Sequence, residues 1–382
     1  MASVRPLVRL GIGSIVPGPV LETLQSANIS TSRDMLESCP LFLMRLTGLS
    51  KAEVDGILLA VAEKVCPKPV TALSLLNGDA EPERLGRSIS TGFEELDAVL
   101  KGGLMSGTVA DICGVPASGK RQFCLGICIQ AALKSYMQSR SLDEQEQNEG
   151  TVNVIYFKTG GEFPIKRLQQ MMAAHIENFK VDRQQRKPTV DELSDMIRIL
   201  QPTSLEELSN ALEDEQSTVI SNNVDLIVID SIIPLARAKR MSEEDTTQYA
   251  LKQASLLKRL GEASGCMSIF INQVQELKEE EDVSLGANEL KQVGISVNTA
   301  SESVSTHSAL LRYRSNLGIQ WHHYVDTRIV LGPALPSFNQ KGEEIYRKMM
   351  LLEKSPLSPH ALLFYKIGRS GIEMERDLVE NE

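Results

Sequence analysis

The spacing of apolar positions changes character along the chain. Up to about residue 66, apolar residues recur with helical periods in short bursts. Val20–Ala27, Ser32–Ser38 and Pro40–Leu46 are predicted as short helices, and Lys51 to Lys64 as a longer one. Thr47-Gly48-Leu49-Ser50 separates the last two. Ser50 and Glu53 have the Ser-x-x-Glu spacing of a capping box, which satisfies two free N–H groups at a helix start. Two helices joined at a tight Gly turn have the outline of a helix-hairpin-helix unit, a form that touches DNA backbones. This turn brings only Arg45 and Lys51 as cations, which suits a plain packing bundle better.

Pro67-Lys68-Pro69 stops helix propagation and opens a linker over residues 67–88. Inside it Val70, Thr71, Ala72, Leu73, Ser74, Leu75 and Leu76 form a short apolar, strand-like segment. Such an edge either adds to the sheet of another subunit or packs back on its own domain, and the pattern leaves both open.

From Ser88 onward, short apolar runs alternate with longer periodic ones. Strands are predicted at Gly107–Cys113, Val152–Phe157, Met196–Leu200, Val224–Asp230, Cys266–Asn272, Asp326–Leu331, Tyr346–Leu352 and Ala361–Ile367. Helices are predicted at Lys120–Leu133, Pro164–Asn178, Leu205–Glu213 and Glu244–Ser264. Ser135–Gly150 reads as a polar loop. This alternation argues an α/β core with a mostly parallel sheet covered by helices. The chain then divides into a small all-α N-terminal domain (1–66), the linker (67–88) and the α/β core (89–382). One segment breaks the rhythm: Glu276–Gln320 is long and polar, and a loop of that length in a compact domain is either functional or disordered.

The length of 382 residues fits two or three domains. No apolar run reaches about 18 residues, so no membrane span is expected. The N-terminus has no continuous apolar signal region and reads as the start of the mature protein. The net charge of −10 excludes a chain that coats nucleic acid by bulk electrostatics. Any DNA contact must come from a local basic patch or through a partner. None of the six cysteines forms a CxxC pair, and Cys124 and Cys128 lie four apart on a predicted helix without further ligands at matching spacing. Buried free thiols in a reducing compartment are expected.

Chemistry enters at Gly114-Val115-Pro116-Ala117-Ser118-Gly119-Lys120, which fits GxxxxGK. The glycines let backbone N–H groups turn inward around phosphate oxygens, and the lysine neutralises their charge. The helix that follows, opening with Arg121 and Gln122, points the positive end of its dipole at the same anion. The motif follows an apolar strand and opens a helix, as its mechanism demands. Leu226–Asp230 supplies the second element: an apolar strand whose terminal carboxylate, Asp230, either holds Mg2+ beside the loop or merely caps the strand. ATP, with Mg2+, is the expected cofactor. Arg121 departs from the motif, because the hydroxyl normally found there ligates Mg2+ and a guanidinium cannot. Its guanidinium would compete for phosphate oxygen or for Asp230.

With these residues in place the chain resembles the RecA/RadA-type recombinases of eukaryotes, and among them the paralogues that do not form filaments. Ser90–Asp97 with Lys101-Gly102-Gly103-Leu104 resembles the family's lead-in to the phosphate loop. Ile271-Asn272-Gln273-Val274 resembles the strand end before the first DNA-facing loop, and Leu317–Trp321 the return from the second. Lys354-Ser355-Pro356 resembles the segment that caps ATP in a neighbouring subunit.

The resemblance implies a RecA-like core, with Asp230 and Gln273 in the catalytic and nucleotide-sensing positions. It aligns the family's catalytic Glu with Gly160 and its Mg2+-binding Thr with Arg121, so Glu162 could substitute only if its loop bends back. It places Lys291, Arg312 and Arg314 in the DNA-facing segment, among seven acidic residues that equally suit a solvated loop. It implies a heterodimer with the C paralogue through Val70–Leu75. Self-polymerising members carry a Phe where this chain has Pro69, which argues against homotypic filaments. The implied role is homologous recombination in DNA repair: support of recombinase filaments and processing of intermediates. Contact with single-stranded or branched DNA would be weak or made through the complex. The implied location is the nucleus and also the cytoplasm. A catalytically active, DNA-stimulated ATPase of the recombinase or helicase type is the rival reading, and Arg121 and Gly160 count against it.

Overall fold

The computed structural model describes residues 18–27, 31–66, 88–141, 152–179, 186–221, 224–276, 313–338 and 344–375, with isolated positions at 7, 16, 29, 71 and 73. Four helices come first: α1 (Gly18–Ser26), α2 (Ser32–Glu37), α3 (Pro40–Thr47) and α4 (Lys51–Val65). The expected capping box is present, with the Ser50 N–H donating to Glu53 Oε2 at 2.8 Å and the Glu53 N–H to Ser50 Oγ at 3.4 Å. α3 ends on Gly48 in the left-handed conformation (φ 72°), which lets its N–H return to the Met44 carbonyl and turns the chain into α4. Leu24, Met35, Leu43, Val54 and Val61 pack into one apolar cluster beneath these helices.

The second part opens with β1 (Ser88–Ile89), α5 (Glu94–Val99) and β2 (Leu104–Met105). There follow β3 (Val109–Gly114), α6 (Lys120–Ser141), β4 (Val154–Lys158), α7 (Ile165–Asn178), α8 (Val190–Asp195) and β5 (Ile197–Leu200). Next come α9 (Leu205–Asp214), α10 (Gln216–Ser221), β6 (Leu226–Asp230), α11 (Ile232–Ala238), α12 (Glu243–Ser264) and β7 (Met267–Ile271). The chain closes through β8 (Val274–Glu276), β9 (Tyr313–Ser315), α13 (Gly318–Tyr324), β10 (Thr327–Phe338), β11 (Glu344–Lys354), β12 (Ala361–Gly368) and β13 (Gly371–Met374).

Nine strands form one sheet in the order β13-β12-β11-β10-β3-β7-β6-β4-β5. From β10 to β5 every neighbouring pair is parallel, and β11 to β13 extend the sheet antiparallel. The mostly parallel α/β core read from the sequence is therefore present. Every residue of β3, β4, β6 and β7 is buried, because helices cover both faces. The strand period of two divides the core: Val154, Tyr156, Leu226 and Val228 face one apolar layer, and Ile155, Phe157, Ile227 and Ile229 the other. Trp321 of α13 closes the second layer, edge-on to Phe270 at 4.9 Å.

Three expectations change. Residues 135–141 are helical, not loop, since α6 runs on to Ser141. Tyr136 is buried there, while Lys134 donates to the Ser88 carbonyl at 3.0 Å and Ser135 to Asp225 at 2.9 Å, so tertiary partners satisfy the polar groups that made the stretch look exposed. Glu276–Gln320 is not a loop throughout: β8 and β9 pair antiparallel across it, with Gln275 opposite Arg314, and α13 begins inside it. In the predicted linker strand, Leu73 is helical and 65% exposed.

Candidate functional site

β3 lies between β10 and β7, and its last residue, Gly114, opens the phosphate-loop motif at the end of the parallel strands. Only glycine fits there: φ is 155°, and a Cβ would stand 2.1 Å from the Leu331 carbonyl oxygen. Ala117 adopts φ 61° and Gly119 φ 97°, so the loop turns its backbone tightly before α6. Strands β11 and β12 hold it from outside. The Tyr365 hydroxyl donates to the Ser118 carbonyl at 2.5 Å, and Lys348 donates to the Ala117 carbonyl at 3.3 Å. Lys120 Nζ donates to the carbonyls of Gly114 (2.8 Å) and Val115 (2.7 Å). Partial burial pulls its pKa below the usual lysine value. The Ser118 hydroxyl is buried with no hydrogen-bond partner among the described residues. An anion cradle of this kind, with an orphaned buried hydroxyl and a lysine folded over it, fits the triphosphate of a nucleotide.

Asp230 ends β6, in register with Lys158 at the end of β4, and is 5% exposed. Three side chains converge on it. Arg121, at the start of α6, places Nε 2.6 Å from Oδ2 and Nη2 3.4 Å from Oδ1. The Tyr156 hydroxyl donates to Oδ2 at 2.9 Å. Lys158 Nζ stands 3.9 Å from Oδ2 and also donates to the Gly160 carbonyl. The hydrogen bond to Asp230 raises the Arg121 pKa, burial raises that of Tyr156, and burial lowers that of Lys158 against the pull of Asp230. The residues do not fit Mg2+. Arg121 has no lone pair to offer, and both oxygens of Asp230 already face protein donors.

The remaining expected residues are scattered. Gln122 accepts from Arg167 Nη2 at 2.7 Å, and Arg167 also donates to the Gly368 carbonyl at 2.6 Å, so Arg167 joins α6, α7 and β12. Glu162 is exposed in the turn after β4. Gln273 is half-buried after β7, and its carbonyl accepts the Asn316 N–H at 3.2 Å. Arg314 lies in β9. Thr71 and Leu73 are both exposed, while Lys291, Arg312, Val70, Ala72 and Leu75 lie outside the described residues. Lys354, expected near a neighbour's nucleotide, donates to the carbonyls of His322 (3.0 Å), His323 (3.1 Å) and Val325 (2.6 Å) and so caps α13 in its own chain.

Two groups escaped the sequence reading. Tyr156 and Lys158 surround Asp230; the signal was a polar atom twice in an otherwise apolar strand. The second is a buried cluster: Arg328 Nε lies 2.9 Å from Glu353 and 3.7 Å from Asp111, and Asn272 donates to Asp111 at 2.6 Å. It ties β3, the strand that carries the phosphate loop, to the end of β7 and to β10 and β11.

Comparison with known proteins accords with this geometry. The Rad51 family model matches residues 86–315, and the model for the XRCC3/RpoA-like helix-hairpin-helix domain matches residues 16–65. DNA repair protein RAD51 homolog 2 of Homo sapiens is 26% identical, over 97% of this chain and 89% of its own length. The protein of the same name from Arabidopsis thaliana is also 26% identical, over 92% and 86%. The meiotic recombination protein DMC1 of Saccharomyces cerevisiae is 25% identical, over 92% and 89%. Among solved structures, the RadB recombinase aligns with 75% of this chain and all of its own, at 20% identity and a TM-score of 0.48. The stretch Glu162–Gln170 resembles X-ray repair cross-complementing protein three, the paralogue whose name the N-terminal domain match also carries, while the matches spanning most of the chain include RAD51 homolog 2. Over more than half of its length this chain matches the Rad51 model, and it belongs to the Rad51 family.

Proposed function

We propose that this chain is a non-motor subunit of a recombination complex, acting in homologous-recombination DNA repair in the nucleus and also present in the cytoplasm. It binds ATP as a structural cofactor and supports recombinase filaments and the processing of recombination intermediates. Its dedicated partner is the C paralogue, which docks on the linker around Val70–Leu75. DNA, single-stranded or branched, is met weakly or through the complex.

The observation that carries this reading is Arg121 on Asp230, 2.6 Å apart, in a phosphate loop otherwise complete. The loop offers backbone N–H groups, Lys120 and the N-terminus of α6 to the phosphates. When bound, ATP supplies a polyanion that this loop can fold around. The chain's own residues orient it and bring cations to it, and the position that the resemblance gives to the water-activating Glu is Gly160, which has no side chain. Binding without turnover follows.

Single-turnover hydrolysis by the purified chain tests this, with Lys120→Ala as control. ATP retention with a rate at background is expected. A rate above background that disappears in Lys120→Ala would instead establish a working ATPase. Co-expression with the C paralogue, followed by mass measurement and nucleotide analysis, tests the partner; a chain that stays monomeric beside it overturns the heterodimer.

A further inference from the structure

We infer that the phosphate pocket takes its nucleoside triphosphate as the metal-free tetraanion, with Arg121 and Lys158 supplying the charge that a divalent cation supplies in an ordinary phosphate-loop site. This rests on the nucleotide-binding reading above.

The ordinary arrangement holds Mg2+ by a hydroxyl just after the loop lysine and by a carboxylate from a neighbouring strand, directly or through water. Both ligands are spent here. The position after Lys120 is Arg121, and Asp230 Oδ2 already accepts from Arg121 at 2.6 Å and Tyr156 at 2.9 Å. Its other oxygen faces Arg121 Nη2 at 3.4 Å. Mg2+ demands near-octahedral oxygen ligands at about 2.1 Å. Here it would have to displace a guanidinium and sit beside an ammonium.

The charges come to the same value without it. Lys120, Arg121 and Lys158 set against Asp230 leave two positive charges in the pocket. A loop lysine, one Mg2+ and one Asp also sum to two. Adding Mg2+ to this pocket would double that charge and find no free ligand.

The two cations divide the work by their burial. The Lys158 side chain is 2% exposed. Among the described residues it donates to the Gly160 carbonyl, which leaves two of its three ammonium donors without a hydrogen-bonded acceptor. A buried ammonium whose counter-charge stands 3.9 Å away is costly, and an incoming anion relieves the cost. The Arg121 side chain is 45% exposed and planar, so one edge can stay on Asp230 while the other meets phosphate oxygens. Lys158 then keeps Asp230 neutralised.

Isothermal titration of the full-length chain with ATP, in excess EDTA and in excess Mg2+, tests the idea. Excess Mg2+ draws the free tetraanion into its own complex, so the apparent dissociation constant should be lower in EDTA than in Mg2+, by about tenfold or more. Arg121→Thr restores the hydroxyl. It should lose about tenfold or more in EDTA and regain affinity in Mg2+, whereas Lys158→Met should lose affinity in both media. A measurement on the unaltered protein guards against variants that fail to fold: with Mn2+ as the probe, electron paramagnetic resonance of the ATP-saturated chain should find no stoichiometric bound Mn2+. An affinity in Mg2+ equal to or above that in EDTA, or one Mn2+ per chain, overturns the metal-free site and leaves the nucleotide reading standing. No ATP binding in either medium overturns both.

Discussion

The Tyr156 hydroxyl donates to the same Asp230 oxygen that Arg121 holds, at 2.9 Å, from a side chain with no exposed surface. The catalytic-looking carboxylate of β6 is thereby locked into the sheet by its neighbouring strand. Tyr156→Phe keeps the ring and its edge-on contact with Phe163 at 5.2 Å. It removes a hydrogen bond to a charged acceptor, worth about 1.5–3 kcal/mol. Urea denaturation should show a lower midpoint with an unchanged slope; an unchanged midpoint would mean that Arg121 alone satisfies Asp230.

Gly114→Ala should destabilise the core by at least about 3 kcal/mol, because the new methyl meets the Leu331 carbonyl oxygen at 2.1 Å and the backbone sits at a φ that only glycine adopts freely. Thermal unfolding reads this directly. Gly126→Ala serves as the contrast: its Cβ would meet nothing within 4 Å, so a loss of stability equal to that of Gly114→Ala would remove the steric argument.

Lys354 is the C-terminal cap of α13, through three carbonyl contacts between 2.6 and 3.1 Å. Lys354→Met keeps the apolar stem and deletes the ammonium. Amide hydrogen exchange should accelerate across Gly318–Tyr324 and stay constant in α12. Unchanged protection of α13 would mean that the burial of Trp321 alone holds it.

His175 gives the fold a pH dependence. Its Nε2–H donates to the Ser370 carbonyl at 3.1 Å, which leaves Nδ1 to accept from the Gln130 amide at 3.2 Å, an arrangement of the neutral ring. Burial holds its pKa below the ordinary value of 6.5. As pH falls through about 6.5 the unfolded chain binds this proton before the native one, so stability falls, by up to about 1.4 kcal/mol per pH unit within the window. The carboxylates of Glu192, Glu206 and Glu207, held below their usual range by hydrogen bonds, lose their contribution only at more acidic pH. Urea unfolding at about pH 7.5 and about pH 5.5 should therefore differ in the native sequence and converge in His175→Gln. An equal drop in the variant would assign the effect elsewhere.

Much of the fold was legible from local pattern. β4 and β6 are continuous apolar runs because helices cover both faces of the sheet, and they read as buried strands. Ser50 and Glu53 announced the start of α4 because a cap is made between residues three apart. The errors have a common cause. Ser135 looked like a loop residue because its partner, Asp225, is far along the chain. β8 and β9 were invisible because a three-residue strand has no period to detect and its partner lies beyond a long insertion.

At the candidate site, the chemistry of single residues came from the chain alone: glycines where a backbone must turn, Lys120 for phosphate, and Arg121 where a hydroxyl belongs. What Arg121 does came from folding. Asp230 is 109 residues away, Tyr156 and Lys158 belong to a different strand, and their convergence depends on β4 and β6 being parallel neighbours in register. Local propensity acts over a few residues and leaves its mark in the order of the letters. The chain offered Asp230 as one of two partners for Arg121, phosphate oxygen being the other; the pairing with Asp230 was decided by sheet order, which the summed packing of the whole core selects.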